Sequence, residues 1–410
     1  MTFTSLKIFP SFYVVMGLSF CLLLGACATR YRSEMTTGCV QNLSPGAQRL
    51  VADSMRGLDP KRITDYHTHL ITNDINPKWR SWAYPKDRIG SMMLANAAGV
   101  HIHKDFDEAY LKRFAELIRS SPIRGKVFLF AFDKFHDSEG RTDDSKTVFH
   151  VPNDAVFAAV AKYPDLFVPV VSIHPYRADA IAELERCARL GSRYVKWIPN
   201  SMGMDPASPK TDAFYRRMRE LHMTLISHAG FEPAVETNKC QEFGNPLRLR
   251  KPLDMGVRVI AAHCASWGRN IDLDAPGHKR ADSFDLFLRL MDEPAYRGRF
   301  FGDISAITFL TRGDIFLLSR KARVTLLERP DIQERLVYGS DYPICAVGLM
   351  TLTSRLAQAG FITQEQRKYL NEIRRCNPWL FNFVLNRTIR DPKTGRGFAD
   401  SIFQRRPELR

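Results

Sequence analysis

From residue 63 onward, short apolar runs of strand character alternate with stretches of helical apolar spacing. This rhythm restricts the folds open to the chain more than any single motif does. The strand-like runs cover 63–70, 126–133, 166–173, 194–198, 224–227, 257–262, 299–304 and 335–339. Helical spacing falls between them over 108–120, 152–162, 178–190, 211–221, 283–291 and 315–327, and again over 365–374 and 378–385. The run at 126–133 (Lys-Val-Phe-Leu-Phe-Ala-Phe-Asp) is almost wholly apolar, as a strand buried on both faces must be. Strands that alternate with helices predict a parallel sheet. Eight such units predict an α/β chain closed into a parallel eight-stranded (β/α)8 TIM barrel over 59–386. The competing architecture, an open doubly wound sheet, is weakened because no Gly-rich phosphate turn follows the first strand. Residues 71–107, rich in Asn, Pro, Trp and Gly, break the rhythm as a long inserted loop of the kind that serves as a lid or binding loop. The basic tail over 387–410 is expected to pack on the outside of the barrel or to stay partly loose.

Ahead of this region, Lys7 is followed by an apolar run over 8–24, then by Leu24-Gly25-Ala26-Cys27 and the polar Ala28-Thr29-Arg30. A basic start, an apolar middle and small residues before a break mark a secretory signal rather than a fold element. The Leu-Gly-Ala-Cys run resembles the bacterial lipobox, which implies a lipid on Cys27 and a mature chain beginning there. The competing reading is an uncleaved membrane anchor, or a Cys27 without special role. These residues predict a lipoprotein signal peptide over 1–26, a tether and lead-in over 27–58, and a place in the cell envelope, lipid-anchored on the periplasmic side of a bacterial membrane. The net charge is +15, of which the signal supplies only Lys7, so about +14 remains (15 − 1). Such a surface suits an anionic membrane or acidic substrates. No basic-aromatic pattern of a nucleic-acid reader is present, so the expected partners are a small-molecule substrate, the membrane and, compatibly, a second copy of the chain. Setting aside Cys21 and Cys27 leaves Cys39, Cys187, Cys240, Cys264, Cys345 and Cys376, none in C-x-x-C spacing. An exported chain could hold one or two bridges among them, in pairings the sequence leaves open.

Polar residues fall where a barrel enzyme needs them. His67 and His69 close the first strand, and side chains two apart on a strand point the same way. Imidazole is the commonest protein metal ligand, although an H-x-H alone is weak evidence. Lys196 lies in the fourth strand, His228 ends the fifth, His263 the sixth and Asp341 the eighth. Active sites of such barrels gather at the C-terminal ends of the strands, so these side chains converge on one mouth. His174 follows the third strand and could line that mouth, and Arg177 nearby could recognise an anion. Asp303 ends the seventh strand and is expected to steady a neighbouring ligand, whereas Asp65 is expected to be structural. His101, His103, Trp79, Trp82 and Tyr84 fall in the long loop, as substrate-facing or simply exposed or packed residues.

Taken together, Asp65-Tyr-His67-Thr-His69, Val195-Lys196, Ser227-His228-Ala-Gly, Ala262-His263-Cys and Tyr338-Gly-Ser-Asp341-Tyr-Pro resemble the motif series of the amidohydrolase superfamily. More narrowly, the chain resembles the amidohydrolase-related branch that also contains metal-dependent decarboxylases. The closing Asn377-Pro-Trp-Leu-Phe is similar to that branch's final helix, so the resemblance spans 62–385. It implies His67, His69, His228 and Asp341 as ligands of one or two divalent ions, with Zn2+ suiting the donor set and manganese or iron as alternatives. Asp341, His263 and Lys196 would be the catalytic groups, around a water whose pKa the metal lowers toward ~7. For Lys196 three roles stand open: a carboxylated bridge between two ions, a free ammonium that binds a substrate carboxylate or phosphate, or a structural ion pair. The expected activity is metal-dependent hydrolysis of an amide, ester or lactone-type bond by a metal-bound hydroxide. Non-oxidative decarboxylation of an aromatic or unsaturated acid is the alternative, and a non-catalytic barrel lipoprotein the third reading.

Overall fold

The structure is a computed structural model that describes residues 39–72, 94–100, 105–147, 149–233, 235, 237, 239–309 and 314–409, with side chains in the helix Asp314–Glu328 described from Ser319. Cys27 with the signal segment, Trp79, Trp82, Tyr84, His101 and His103 lie outside the described residues. In chain order the strands are β1 Thr64–His69, β2 Lys126–Phe130, β3 Phe167–Val170, β4 Tyr194–Trp197, β5 Thr224–His228, β6 Arg258–Ala262, β7 Arg269–Ile271, β8 Arg280–Asp282, β9 Phe300–Asp303 and β10 Leu336–Val337.

β1, β2 and β3 form one parallel sheet, and β4, β5, β6, β9 and β10 another. Single parallel bridges link the two sheets: Val171 with Val195 beyond β3, and Thr68 with Tyr342 beyond β10. At the second seam the Tyr66 N–H donates to the Tyr338 carbonyl, and the Asp341 N–H to the His67 carbonyl, both at 2.9 Å. Strand order and direction are thus those of a (β/α)8 barrel, with lone bridges rather than full ladders at the two seams. Gly339 is what lets the second seam come together, because a Cβ there would stand 2.6 Å from the His67 Cβ.

Several elements are shorter than their apolar runs suggest. β2 stops at Phe130 because Phe132 turns its hydrogen bonds to Val151 in an antiparallel bridge. β10 stops at Val337 because the next amide, Tyr338 N–H, donates to the Ile402 carbonyl of the C-terminal tail. The 27–58 lead-in contains a helix, Pro45–Met55, capped by Ser44 and started on a proline. Ser44 also bonds Glu372 through its backbone N–H and its hydroxyl, at 2.6 and 2.7 Å, and a Cys39–Cys376 disulfide fastens the same two segments. The antiparallel hairpin β7–β8 was illegible because Arg-Asn-Ile and Arg-Ala-Asp carry no apolar alternation.

The tail departs most from expectation. Instead of lying on the outside, it crosses the strand-start end of the barrel. Gln404 pairs with Ile63, the Arg406 N–H donates to the Tyr66 hydroxyl at 2.9 Å, and the Tyr194 hydroxyl donates to the Leu409 carbonyl. Ile402, Phe403 and Leu409 are fully buried, so apolar anchors set in a basic segment fix its course.

Candidate metal centre

The strand ends opposite the tail carry the ionisable residues. His67 Nδ1 lies 2.9 Å from Asp303 Oδ2, and its ring centroid is 5.1 Å from that of His69 and 4.9 Å from that of His263. His69 Nε2 lies 2.6 Å from Asp341 Oδ1, which also approaches His67 Nε2 to 3.5 Å. The His228 ring centroid is 5.3 Å from that of His263, and His228 Nδ1 is 3.3 Å from Glu232 Oε2. His263 Nδ1 meets Ser305 Oγ at 2.7 Å, and the Ser305 hydroxyl in turn donates to Asp303 Oδ1. The five sequence-expected residues His67, His69, His228, His263 and Asp341 are therefore brought together.

Asp341 and His263 adopt left-handed backbone conformations, with φ of 60° and 59°. Non-glycine residues held there are uncommon, and such strain clusters at functional sites. Asp65 clasps the base of the array. Its Oδ1 accepts from the His67 and Ser340 N–H groups at 3.1 and 2.9 Å, and its Oδ2 accepts from Trp379 Nε1 at 2.8 Å. Burial raises its carboxyl to about 6 in spite of these bonds.

Burial pushes His67 down to about 3 and depresses His228 and His263 as well, so these imidazoles are neutral. Burial alone would raise Asp303 and Asp341, but the histidines beside each outweigh it and hold both well below the usual carboxylate range. Neutral imidazole with ionised carboxylate is the protonation state that receives a divalent cation. Lys196 is also buried, and burial draws its ammonium down to about 8, with Asp303, Asp341 and Glu232 pulling partly the other way. Its Nζ lies 4.9 Å from the centroid of the Phe130 ring.

The residues fit a metal on a further observation. His67 Nε2 and His228 Nε2 are both buried without a hydrogen-bond partner. Each belongs to a ring whose Nδ1 is held by a carboxylate, the arrangement that turns the other nitrogen's lone pair toward an ion. Ligand atoms of His67, His69 and Asp341 lie within 4.8 Å of one another, as do those of His67, His263 and Asp303.

The other two expected substrate residues are engaged elsewhere. His174 Nδ1 accepts from the Tyr176 N–H and its Nε2 meets the Met202 carbonyl, at 3.2 and 3.1 Å. Arg177 donates to Asp133 at 2.9 Å and to Asp179 at 2.8 and 2.7 Å. It lines a polar cavity of about 450 Å³ together with Phe132, Asp133, His150, Ser172 and Arg186. Phe132 also stacks on His69, with ring centroids 5.3 Å apart, so it forms a wall shared between that cavity and the candidate centre. Sequence reasoning missed Ser305, Glu232 and Trp267, the last stacked on His263 at 6.0 Å. The first two carry a signal in hindsight: Ser305 stands two residues beyond Asp303, and Glu232 four beyond His228.

A family model described as amidohydrolase matches residues 64–372. No curated protein matches the chain by sequence. Among solved structures it is similar to an uncharacterized TIM-barrel protein from Bordetella bronchiseptica, at 18% identity over 70% of this chain and 87% of that one, with a TM-score of 0.45. It is also similar to a probable 2-pyrone-4,6-dicarboxylic acid hydrolase from Acinetobacter baumannii (14% identity, 75% and 95% covered, TM-score 0.42). A 2,6-dihydroxybenzoate decarboxylase gives 14% identity, 77% and 99% covered, and a TM-score of 0.41. With a family match across most of its length and the motif residues assembled at one end of its strands, the chain belongs to the amidohydrolase family.

Proposed function

We propose that this chain is a metal-dependent hydrolase of an amide, ester or lactone-type bond. The observation that supports the reading is the pair of buried, unpartnered Nε2 atoms on His67 and His228, each in a ring oriented by a carboxylate. His67, His69, His228 and Asp341 would hold the ion, and Zn2+ suits two or three imidazoles and a carboxylate. When bound, such an ion polarises a carbonyl oxygen and acidifies water. Asp341, kept ionised by its histidine neighbours, accepts the proton released as water attacks. His263, whose Nδ1 donates to Ser305 Oγ, presents an Nε2 lone pair and would assist the substrate oxygen on which charge develops only once that nitrogen carries a proton. Trp267 and Phe132 stack on one face of His263 and His69 and fix the orientation of those rings, with His69 still partly open to solvent.

Decarboxylation of an aromatic or unsaturated acid is the second reading, and Lys196 favours it. A buried amine over the Phe130 ring gives a substrate carboxylate a partner in a poorly hydrated site. The same lysine, with a pKa near 8, also has the neutral fraction that carboxylation requires. A screen of lactones, amides and aromatic carboxylates, with and without chelator, separates the two. Turnover that survives complete metal removal would sink both.

We also propose a place in the cell envelope, with Cys27 lipidated. The Leu24-Gly-Ala-Cys27 run supports this, and the Cys39–Cys376 disulfide is of the kind that persists in oxidising compartments. Mass spectrometry of the membrane fraction tests it; a Cys27 without acyl mass would remove the anchor.

A further inference from the structure

The end of the barrel opposite the metal centre is strongly basic. Arg124, Arg193, Arg258, Arg299 and Arg335 stand at or just ahead of the starts of β2, β4, β6, β9 and β10. In a βα barrel the carbonyl ends of the helices also point to this side; Arg193 and Arg335 bond such carbonyls, and Arg124 and Arg299 bond carbonyls of the turns that follow the helices. Arg124 donates to Ile123 at 2.8 Å, Arg193 to Ala188 and Ser192 at 2.8 Å, Arg299 to Ala295 at 2.9 Å and Arg335 to Met291 at 2.5 Å. Neutral carbonyls complement a guanidinium through the helix dipole without cancelling its charge. The tail adds Arg405, exposed, and Arg406 across the same end. Acidic residues there include Asp59, Asp165, Asp254, Asp292, Asp331, Glu334 and Glu408, of which Asp165 pairs with Arg119 at 3.2 Å, Asp292 and Asp331 both with Arg329 at 2.6 Å, and Glu408 with Arg406 at 3.9 Å.

The chain enters the fold on this side too. Cys39 is bonded to Cys376, and the next residue, Asn377, donates through Nδ2 to the Leu117 carbonyl at 2.7 Å, in the last turns of the helix Phe106–Ser120 that leads down to β2. Between Cys27 and Cys39 lie 12 steps of chain (39 − 27), including Arg30 and Arg32. Fully extended they reach about 40 Å, so a lipid on Cys27 would hold Cys39 within about that distance of the bilayer.

We propose that the strand-start face with its tail is a docking surface for an anionic lipid bilayer. The anchored protein then lies with the mouth of the metal centre turned away from the membrane, toward dissolved substrate. The inference rests on the envelope reading and is independent of the reaction catalysed. A lipid surface is favoured over a nucleic acid because the tether leaves from this same face.

The full chain is reconstituted into phosphatidylcholine vesicles and into vesicles that also contain phosphatidylglycerol, and hydrogen–deuterium exchange is compared. Peptides over 122–126, 192–194 and 399–409 should slow about tenfold on the anionic vesicles only. The protection should vanish in about 1 M salt, where screening acts within roughly 3 Å. It should vanish also in the triple variant Arg124→Glu, Arg193→Glu, Arg405→Glu, whose exchange over 228–233 at the mouth stays that of the parent. Equal protection on both vesicle types, protection of the mouth instead, or the same protection from a short single-stranded DNA without vesicles would each overturn the proposal. Failure to join neutral vesicles, with protection still present on anionic ones, would remove the anchor and leave the docking face standing.

Discussion

His67 and Asp303 are 236 positions apart in sequence, yet Nδ1 and Oδ2 meet at 2.9 Å with both side chains fully buried. With Asp303 ionised, this contact requires the proton on Nδ1, which leaves the Nε2 lone pair free to bind. Asp303→Asn should therefore weaken metal binding about 10–100-fold, while His67→Ala should abolish binding and turnover together. Equilibrium dialysis with Zn2+ reads the affinity directly. An Asp303→Asn protein that binds as the parent does would break the assignment of His67 as a ligand.

Metal should also be felt in stability. An ion that binds only the folded chain stabilises it by about 2.7 kcal/mol at a free concentration 100 times its Kd. Chelator should lower the melting temperature of the parent and leave that of His228→Ala unmoved. Scanning calorimetry with and without chelator makes the comparison.

Lys196 gives a pH dependence of known sign. Its ordinary value is 10.5 and its folded value about 8, so between these the unfolded chain binds more protons. Stability from this group accordingly rises with pH from about 8 to about 10.5, by roughly 3 kcal/mol in all. Below 8 the burial penalty is fully felt. Lys196→Met should remove this slope, read in the metal-free protein as the difference between parent and variant in urea melts. An unchanged slope would mean that the amine is solvated in solution.

Phe403, in the tail, packs against Tyr338 and Phe383 with ring centroids 5.4 and 5.6 Å away. Phe403→Ala should destabilise the chain by about 3–5 kcal/mol, the range for a large buried aromatic. A loss below about 0.5 kcal/mol, as for a surface change, would show that the tail does not seal the barrel.

Alkylation of the unreduced, denatured chain should modify Cys187, Cys240, Cys264 and Cys345 while sparing Cys39 and Cys376. Reduction should lower stability by about 2–5 kcal/mol. Equal labelling of Cys39 and Cys187 would show that the N-terminal helix is held without the disulfide, by contacts such as those of Ser44 with Glu372.

Several of the parallel strands were legible because they are runs such as Val127–Phe130 or Val259–Ala262, buried on both faces and therefore continuously apolar, whereas β1, Thr64–His69, was legible by its paired histidines. The histidines and Asp341 were legible because they interrupt those runs at their ends, where an ionisable group has no packing reason to be. Ser305 and Glu232 were not, because they act through side-chain contacts in loops whose course no local pattern states. The Pro45–Met55 helix was lost for a related reason. Its buried positions include Gly46, Ala47 and Ser54, which carry little hydrophobic signal. The tail misled because its charges dominate the composition while Ile402, Phe403 and Leu409 decide its place.

That residues 402–409 reach the floor of the barrel sets an order in which the molecule is completed. β1 emerges early in synthesis, whereas Gln404, the partner of its neighbour Ile63, follows 341 positions later (404 − 63), with Leu409, whose carbonyl receives the Tyr194 hydroxyl, close behind. At about 5–20 residues per second, the strands wait many seconds for that segment. Until it arrives, Ile63 and the Tyr194 hydroxyl have neither of these partners, so the floor is fastened well after the first strands exist.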